Sequence, residues 1–235
     1  MANLLLIETS TKVCSAAIAD KGSVIKVVEE NNPDYSHSSQ LTLFIKQLID
    51  NTGITFEEID AVAVSGGPGS YTGLRIGTSV AKGLCYALDV PLIGVDTLTA
   101  LAFVMLSQPD LYKKAGLNTL FCPMIDARRM EVYNAVFDKE LNVVKPVAAD
   151  VIDEDSFNDL LKNHTMCFFG DGAFKCRNVI KSSNAFFFED VLPSASGMAK
   201  LAYNKFKNKK FENTAYYEPF YLKDFIAGKP KVKGL

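Results

Sequence analysis

The stretch Ser65-Gly66-Gly67-Pro68-Gly69-Ser70-Tyr71-Thr72-Gly73-Leu74-Arg75-Ile76-Gly77 decides the fold. It follows the apolar run Ala61-Val62-Ala63-Val64, which reads as a buried strand, and precedes residues 74–88, which have helical periodicity and no proline. Glycines and a proline at a strand-to-helix junction give a tight turn whose main chain another group can approach closely. Ser70 and Thr72 can cap the helix, and the first N–H groups then point outward with the positive end of the helix dipole. Gly66, Gly67, Gly69, Ser70, Thr72 and Gly73 are therefore a candidate nucleotide or anion contact. The Walker A pattern is absent, and Gly67, Gly69 and Gly73 are spaced one residue too wide for the dinucleotide fingerprint. A purely structural turn is the competing reading.

A chain of 235 residues, 48% of them hydrophobic, buries a full core as one large domain or two small lobes. Its net charge of −2 gives no overall attraction to nucleic acid or membrane. The first residues lack a basic region and Glu8 interrupts the apolar run, so no signal peptide is expected. The apolar stretch 98–106 is too short to span a bilayer. Five scattered cysteines without a Cys-x-x-Cys pair suggest reduced, buried thiols and a cytoplasmic protein. Only His37 and His164 are available as imidazole ligands, so no metal site, intrinsic cofactor or catalytic residue is assigned.

Residues 4–7, 13–19 and 24–28 read as three antiparallel strands with a small polar turn after the first. Sugar kinases, actin and the heat-shock ATPases open their lobes in a similar way, with an acid for magnesium and a glycine against phosphate in that turn. Here the acid is Glu8 and Ser10 stands in the glycine's place, a degraded phosphate turn. Residues 36–51 read as a helix with Leu41, Phe44, Ile45, Leu48 and Ile49 inward and Leu43 on the opposite face. In the next helix Gly73, Gly77, Val80, Ala81, Leu84 and Leu88 share a face with several very small residues. Packing on the chain's own sheet is the commoner cause of such a face, and a partner's helix is the other. Leu74, Arg75, Thr78, Lys82, Cys85 and Tyr86 make a mixed opposite face.

The polar segment 107–118 is the best lobe boundary. Beyond it a strand ends in Asp126, a turn follows, and two more strands are expected over 131–137 and 141–144, repeating the opening of the chain. Asp126 thus parallels Glu8. The expected fold is α/β: a two-lobed actin-like ATPase fold with duplicated βββαβα lobes. The first lobe covers residues 1–107, with the tail 213–235 returning to it, and the second covers 108–212. A polar helix is expected over 153–161 and another through Leu201, Ala202 and Phe206. The basic end of the latter (Lys205, Lys207, Lys209, Lys210) reads as a solvated helix terminus with at most an unspecific contribution to RNA affinity.

The motifs taken together resemble the TsaB (YeaZ) family. The stretch 65–77 is similar to its signature, Ile125-Asp126-Ala127-Arg128 with Glu131-Val132-Tyr133 to its second-lobe motif, and Glu218-Pro219-Phe220-Tyr221-Leu222-Lys223 to its ending. Glu8 stands where Asp is usual, Met130 where Gly is common and Lys223 where Arg is usual. The resemblance implies a non-catalytic subunit that dimerises with TsaD, a metal-binding paralogue. TsaD transfers a threonylcarbamoyl group to the adenosine after the anticodon of ANN-reading tRNAs, and the ATPase TsaE resets the complex. It further implies a homodimer when TsaD is absent, tRNA contact only through the complex, and no membrane association. ATP or ADP at the partner interface is a further expectation. Carried onto this chain, the partner interface comprises His37, Gln40, Leu41, Leu43, Phe44, Gln47, Tyr71, Leu74, Arg75, Gly77, Thr78, Ala81, Lys82 and Cys85. An active small-molecule kinase or ATPase of the same fold and a glycoprotease-like metallopeptidase are the alternatives.

Overall fold

The computed structural model describes residues 2–31 and 37–223. Strands β1 (Asn3–Glu8), β2 (Val13–Asp20) and β3 (Ser23–Asn31) form an antiparallel meander, and α1 (His37–Thr52) leads to β4 (Ala61–Ser65). Then come α2 (Tyr71–Leu88), β5 (Leu92–Val95) and α3 (Thr97–Leu106). After the short α4 (Pro109–Tyr112) the pattern repeats with β6 (Thr119–Asp126), β7 (Glu131–Phe137), β8 (Val143–Val151), α5 (Asn158–Leu161), β9 (Thr165–Phe169), α6 (Ala173–Cys176), β10 (Ala185–Phe188) and α7 (Ala199–Lys207).

The two five-stranded sheets have one topology. In order they are β3-β2-β1-β4-β5 and β8-β7-β6-β9-β10. In each, the first strand pairs antiparallel with the second and parallel with the fourth. Glu8 and Asp126 close the first strand of their respective lobes, as the repeat requires. This duplicated arrangement is the expected two-lobed actin-like fold.

The helices cross between lobes, which the sequence does not reveal. Leu98, Leu101, Ala102 and Met105 of α3 pack with Phe121, Ile125, Ala135 and Phe169 of the second sheet. Conversely Ala199 and Ala202 of α7, with Ala195 and Met198 of the preceding turn, pack with Leu4, Leu6, Ala17 and Ala19 of the first. Each fully buried leucine here contributes about 1.5–3 kcal/mol. Residues of the 195–207 segment thus pack in the first sheet's core, and α3 packs mainly with the second sheet. A polar linker marks where the chain leaves a sheet, not which sheet the next helix covers.

Of the tail expected over 213–235, residues 224–235 lie outside the described residues. Glu212 N–H donates to Leu92 O across the edge of β5 (2.9 Å), and Phe220 N–H donates to Gly66 O (2.7 Å). Two element expectations change. Residues 153–157 form turns rather than helix, because Ser156 Oγ donates to the Asp153 carboxylate (2.8 Å) and Asp155 N–H does the same (3.2 Å). Such side chain–backbone bonds compete with a first helical turn. The strand expected over 141–144 runs instead to Val151, with register irregularities against β7 taking up the mismatch.

Candidate functional site

The glycine junction forms as expected, with Ser70 Oγ accepting from Gly73 N–H to cap α2 (3.2 Å). Several of its donors are engaged within the chain. Gly66 N–H donates to Val95 O (2.7 Å) and Ser70 N–H to Ser10 O (2.6 Å), while Gly67 N–H donates to Thr97 Oγ1 (3.0 Å). A Cβ at Gly69 would sit 2.5 Å from Ser10 O and 2.7 Å from Ser10 Cβ. One at Gly67 would strike the Phe220 carbonyl oxygen. The junction is thus zipped to the Thr9–Ser10 turn on one side and covered by the tail on the other. Of the candidate anion contact at Gly66, Gly67, Gly69, Ser70, Thr72 and Gly73, the N–H groups of Gly66, Gly67, Ser70 and Gly73 are thus turned to partners within the chain, and Gly67 and Gly69 lie close against the protein's own main chain.

Glu8 is fully buried beneath this junction. Its Oε1 accepts from Ser10 N–H (2.6 Å), while Oε2 and Ser10 Oγ have no partner. Burial raises its pKa, against the opposing effect of the Ser10 N–H bond. A buried acid of this kind favours the neutral form. In the second lobe Asp126 accepts from Lys175 Nζ (2.6 Å) and from Arg128 N–H (2.7 Å). Asp126 N–H in turn donates to Asp171 (3.1 Å), whose pKa is raised by burial. Among the described residues no three His, Cys, Asp or Glu side chains gather into a metal-holding group. The five cysteines are free and buried, and burial pushes up each thiol pKa.

Helices α1 and α2 lie together on one face of the first sheet. Of the expected interface residues, Leu41, Phe44, Leu74, Gly77, Thr78, Ala81 and Cys85 are buried in the chain's own core. A Cβ at Gly77 would strike Thr9 Oγ1 and lie 3.5 Å from Ile7 Cγ2. The small-residue face therefore packs closely on the chain's own sheet. Lys82 Nζ donates to Ala215 O (3.0 Å) and Tyr217 O (3.2 Å), so the tail occupies it. Tyr71 packs against Tyr221 with centroids 4.8 Å apart and the rings tilted by 45°, and Arg75 lies over Tyr71 at 4.6 Å. His37 Nε2 is 2.7 Å from Thr11 O, and Gln40 Nε2 donates to Glu30 (2.8 Å).

What α1 and α2 expose is a different set. Leu43 is 57% exposed beside exposed Gln47, and Tyr86 on α2 is 90% exposed. Ser79, Gly83 and Ala87 form an exposed small-residue row at four-residue spacing, and nothing lies within 4 Å of a Cβ at Gly83. The row is visible in the sequence, but the inward row Gly73-Gly77-Ala81 has the same spacing, and periodicity alone does not tell which faces the sheet. Also unforeseen is Tyr217, whose hydroxyl packs against Gly66 and Gly94. Its only sequence sign is that it immediately precedes the ending motif.

Duplicated sheets, exchanged helices and a closed glycine junction define a two-lobed actin-like protein whose first nucleotide turn is filled from within. The chain belongs to the family described as "TsaD: tRNA N6-adenosine threonylcarbamoyltransferase", whose model matches residues 32–230, and within it to the TsaB (YeaZ) group. It is 28% identical to the Escherichia coli tRNA threonylcarbamoyladenosine biosynthesis protein TsaB, over 96% of each chain. It is 26% identical to the Haemophilus influenzae protein of the same name, over 96% of this chain and 95% of that one. The solved structure of YeaZ from Pseudomonas aeruginosa superposes with a TM-score of 0.74 at 26% identity, covering 94% of this chain and all of the other. No described helix is long and apolar enough to cross a membrane.

Proposed function

We propose that this chain is the non-catalytic subunit of a cytoplasmic tRNA-modifying complex, in which it binds and activates a TsaD-type threonylcarbamoyltransferase. The complex places the threonylcarbamoyl group on the adenosine next to the anticodon of ANN-reading tRNAs, with a TsaE-type ATPase resetting it. The observation that carries the reading is the exposed surface of α1 and α2: an apolar Leu43 beside a smooth row of small residues with Tyr86 at its end. A partner helix can lie close against such a row, and its apolar residues can cover Leu43 and Tyr86. The same surface serves a second copy of the chain when the partner is absent. ATP or ADP would lie at that interface, with the glycine junction at residues 66–73 and the partner as the sources of its phosphate contacts.

The test is co-purification of the partner with the wild-type chain, Leu43→Glu and Gly83→Arg. Both substituted sites are solvent-exposed, so the variants keep the wild-type melting profile within a few degrees while losing the partner. Retention of the partner by both, at wild-type stoichiometry, would refute the surface assignment. A kinase or ATPase reading has no specific observation in its favour, because the Glu8–Ser10 turn is packed against Gly69.

A further inference from the structure

In the turn between β6 and β7, Arg128 and Arg129 have φ values of 70° and 46°, consecutive left-handed residues that are not glycine. Side chains rarely sit there, since each carries a backbone strain that glycine would avoid. Both arginines are exposed. Neither guanidinium makes a hydrogen bond or ion pair among the described residues.

The nearby acids do not account for them. Asp126 is engaged by Lys175 Nζ (2.6 Å) and by the Arg128 main chain, and Glu131 is engaged by Lys223 Nζ (2.5 Å). Two further cations are linked to this rim. Lys12, exposed in the first lobe's turn, acts electrostatically on Asp171, which is hydrogen-bonded to Asp126. Arg75 is exposed, held over Tyr71 and hydrogen-bonded to Tyr221, only two residues before Lys223. Lys12 is thus linked to the Arg128–Arg129 turn through Asp171 and Asp126, and Arg75 through Tyr221, Lys223 and Glu131. This concentration of positive charge stands out on a chain of net charge −2.

We infer that this rim is an RNA contact surface, where Arg128 and Arg129 bind backbone phosphates of the substrate RNA within the complex. The inference rests on the proposed role in tRNA modification and deepens it, since the chain then touches the RNA itself as well as the partner. Guanidinium groups suit phosphate through paired N–H donors. The tyrosines hold Arg75 in place.

The test uses the full chain in complex with its TsaD-type partner and an unmodified tRNA transcript, titrated over a range of salt concentrations. In the variant Arg128→Gly/Arg129→Gly the left-handed turn is relieved of strain, so the chain folds at least as well as wild type while losing two cations. Each phosphate contact contributes about 0.7 to 0.9 to the slope of log K against log salt, so the slope should become shallower by about 1.4 to 1.8. Arg128→Lys/Arg129→Lys should keep most of the slope. Unchanged affinity and slope in a fully assembled glycine variant would overturn the inference. Loss of the partner by that variant would also overturn it, marking the rim as a protein interface. If the wild-type chain fails to co-purify with its partner, the subunit reading falls. The same titration on the free chain then still decides the rim, by the presence or absence of an arginine-dependent salt slope.

Discussion

Replacing Gly73 by alanine tests the closed junction directly. A Cβ there would fall onto the Thr9 carbonyl oxygen and 3.2 Å from its carbon. The obstacle is main chain at the end of a buried strand, not the tip of a flexible side chain. Overpacking of this kind costs about 1–3 kcal/mol, and the upper end applies where the neighbour cannot turn away. Moving the helix also breaks the bond from Thr9 Oγ1 to Gly73 O (2.8 Å), a loss of about 1 kcal/mol. Alanine returns about 1 kcal/mol through its better helix propensity. The balance is about 3 kcal/mol destabilising, a fall in Tm of roughly 6–12 °C for a chain of this size. Gly83→Ala in the same helix gains about 1 kcal/mol of propensity and meets no atom within 4 Å, so its Tm should rise by roughly 2–4 °C. Urea unfolding of the two purified variants beside wild type reads both effects. A Gly73→Ala protein within about 0.5 kcal/mol of wild type, or equal losses in both variants, would refute the packing argument.

Glu8→Gln should stabilise the chain increasingly as pH rises. The folded pKa of Glu8 lies above its ordinary 4.5 because of burial. Stability is therefore fully present below the unfolded pKa and is lost as pH rises through the folded value. The stability difference between variant and wild type, measured by denaturant unfolding from pH 4 upward, should grow above pH 4.5 and then level off; a flat difference would contradict it. Arg128→Gly alone should add about 1 kcal/mol by removing left-handed strain, read as a higher urea midpoint, and a lower midpoint would count against that conformation. Lys223→Ala should cost no more than about 1 kcal/mol, because the pair it makes with Glu131 is partly exposed, with side-chain exposures of 45% and 19%. A loss above about 2 kcal/mol would mean that the tail, not the pair, depends on it.

The fold was legible because its strongest signals are local and occur twice: an apolar strand ending in an acid, a hairpin, and a glycine junction before a helix. The destination of the helices was not legible. α3 is apolar nearly all round, so its pattern names no single face, and its packing on the second sheet depends on residues far away in sequence. The site was half legible. Leu43 stands out as an apolar residue on a polar face, and the structure leaves it exposed. Gly77 and Gly83 look alike in sequence, yet one faces Thr9 and the other open solvent. The glycine junction is ambiguous in a similar way. A turn that admits phosphate and a turn that admits another strand need the same residues, and only the bonds from Ser70 N–H to Ser10 O and from Phe220 N–H to Gly66 O decide between them. The left-handed pair at Arg128 and Arg129 gave no composition signal, since arginine is an unusual choice for that backbone.

Threonylcarbamoyl transfer reconstituted from purified components tests the subunit assignment most directly, with threonylcarbamoyladenosine measured in tRNA. The chain alone should form none, the TsaD-type partner with the wild-type chain should form it, and the partner with Leu43→Glu should fall back toward the level of the partner alone. Modification of tRNA by this chain in the partner's absence, or full activity with Leu43→Glu, would contradict the account.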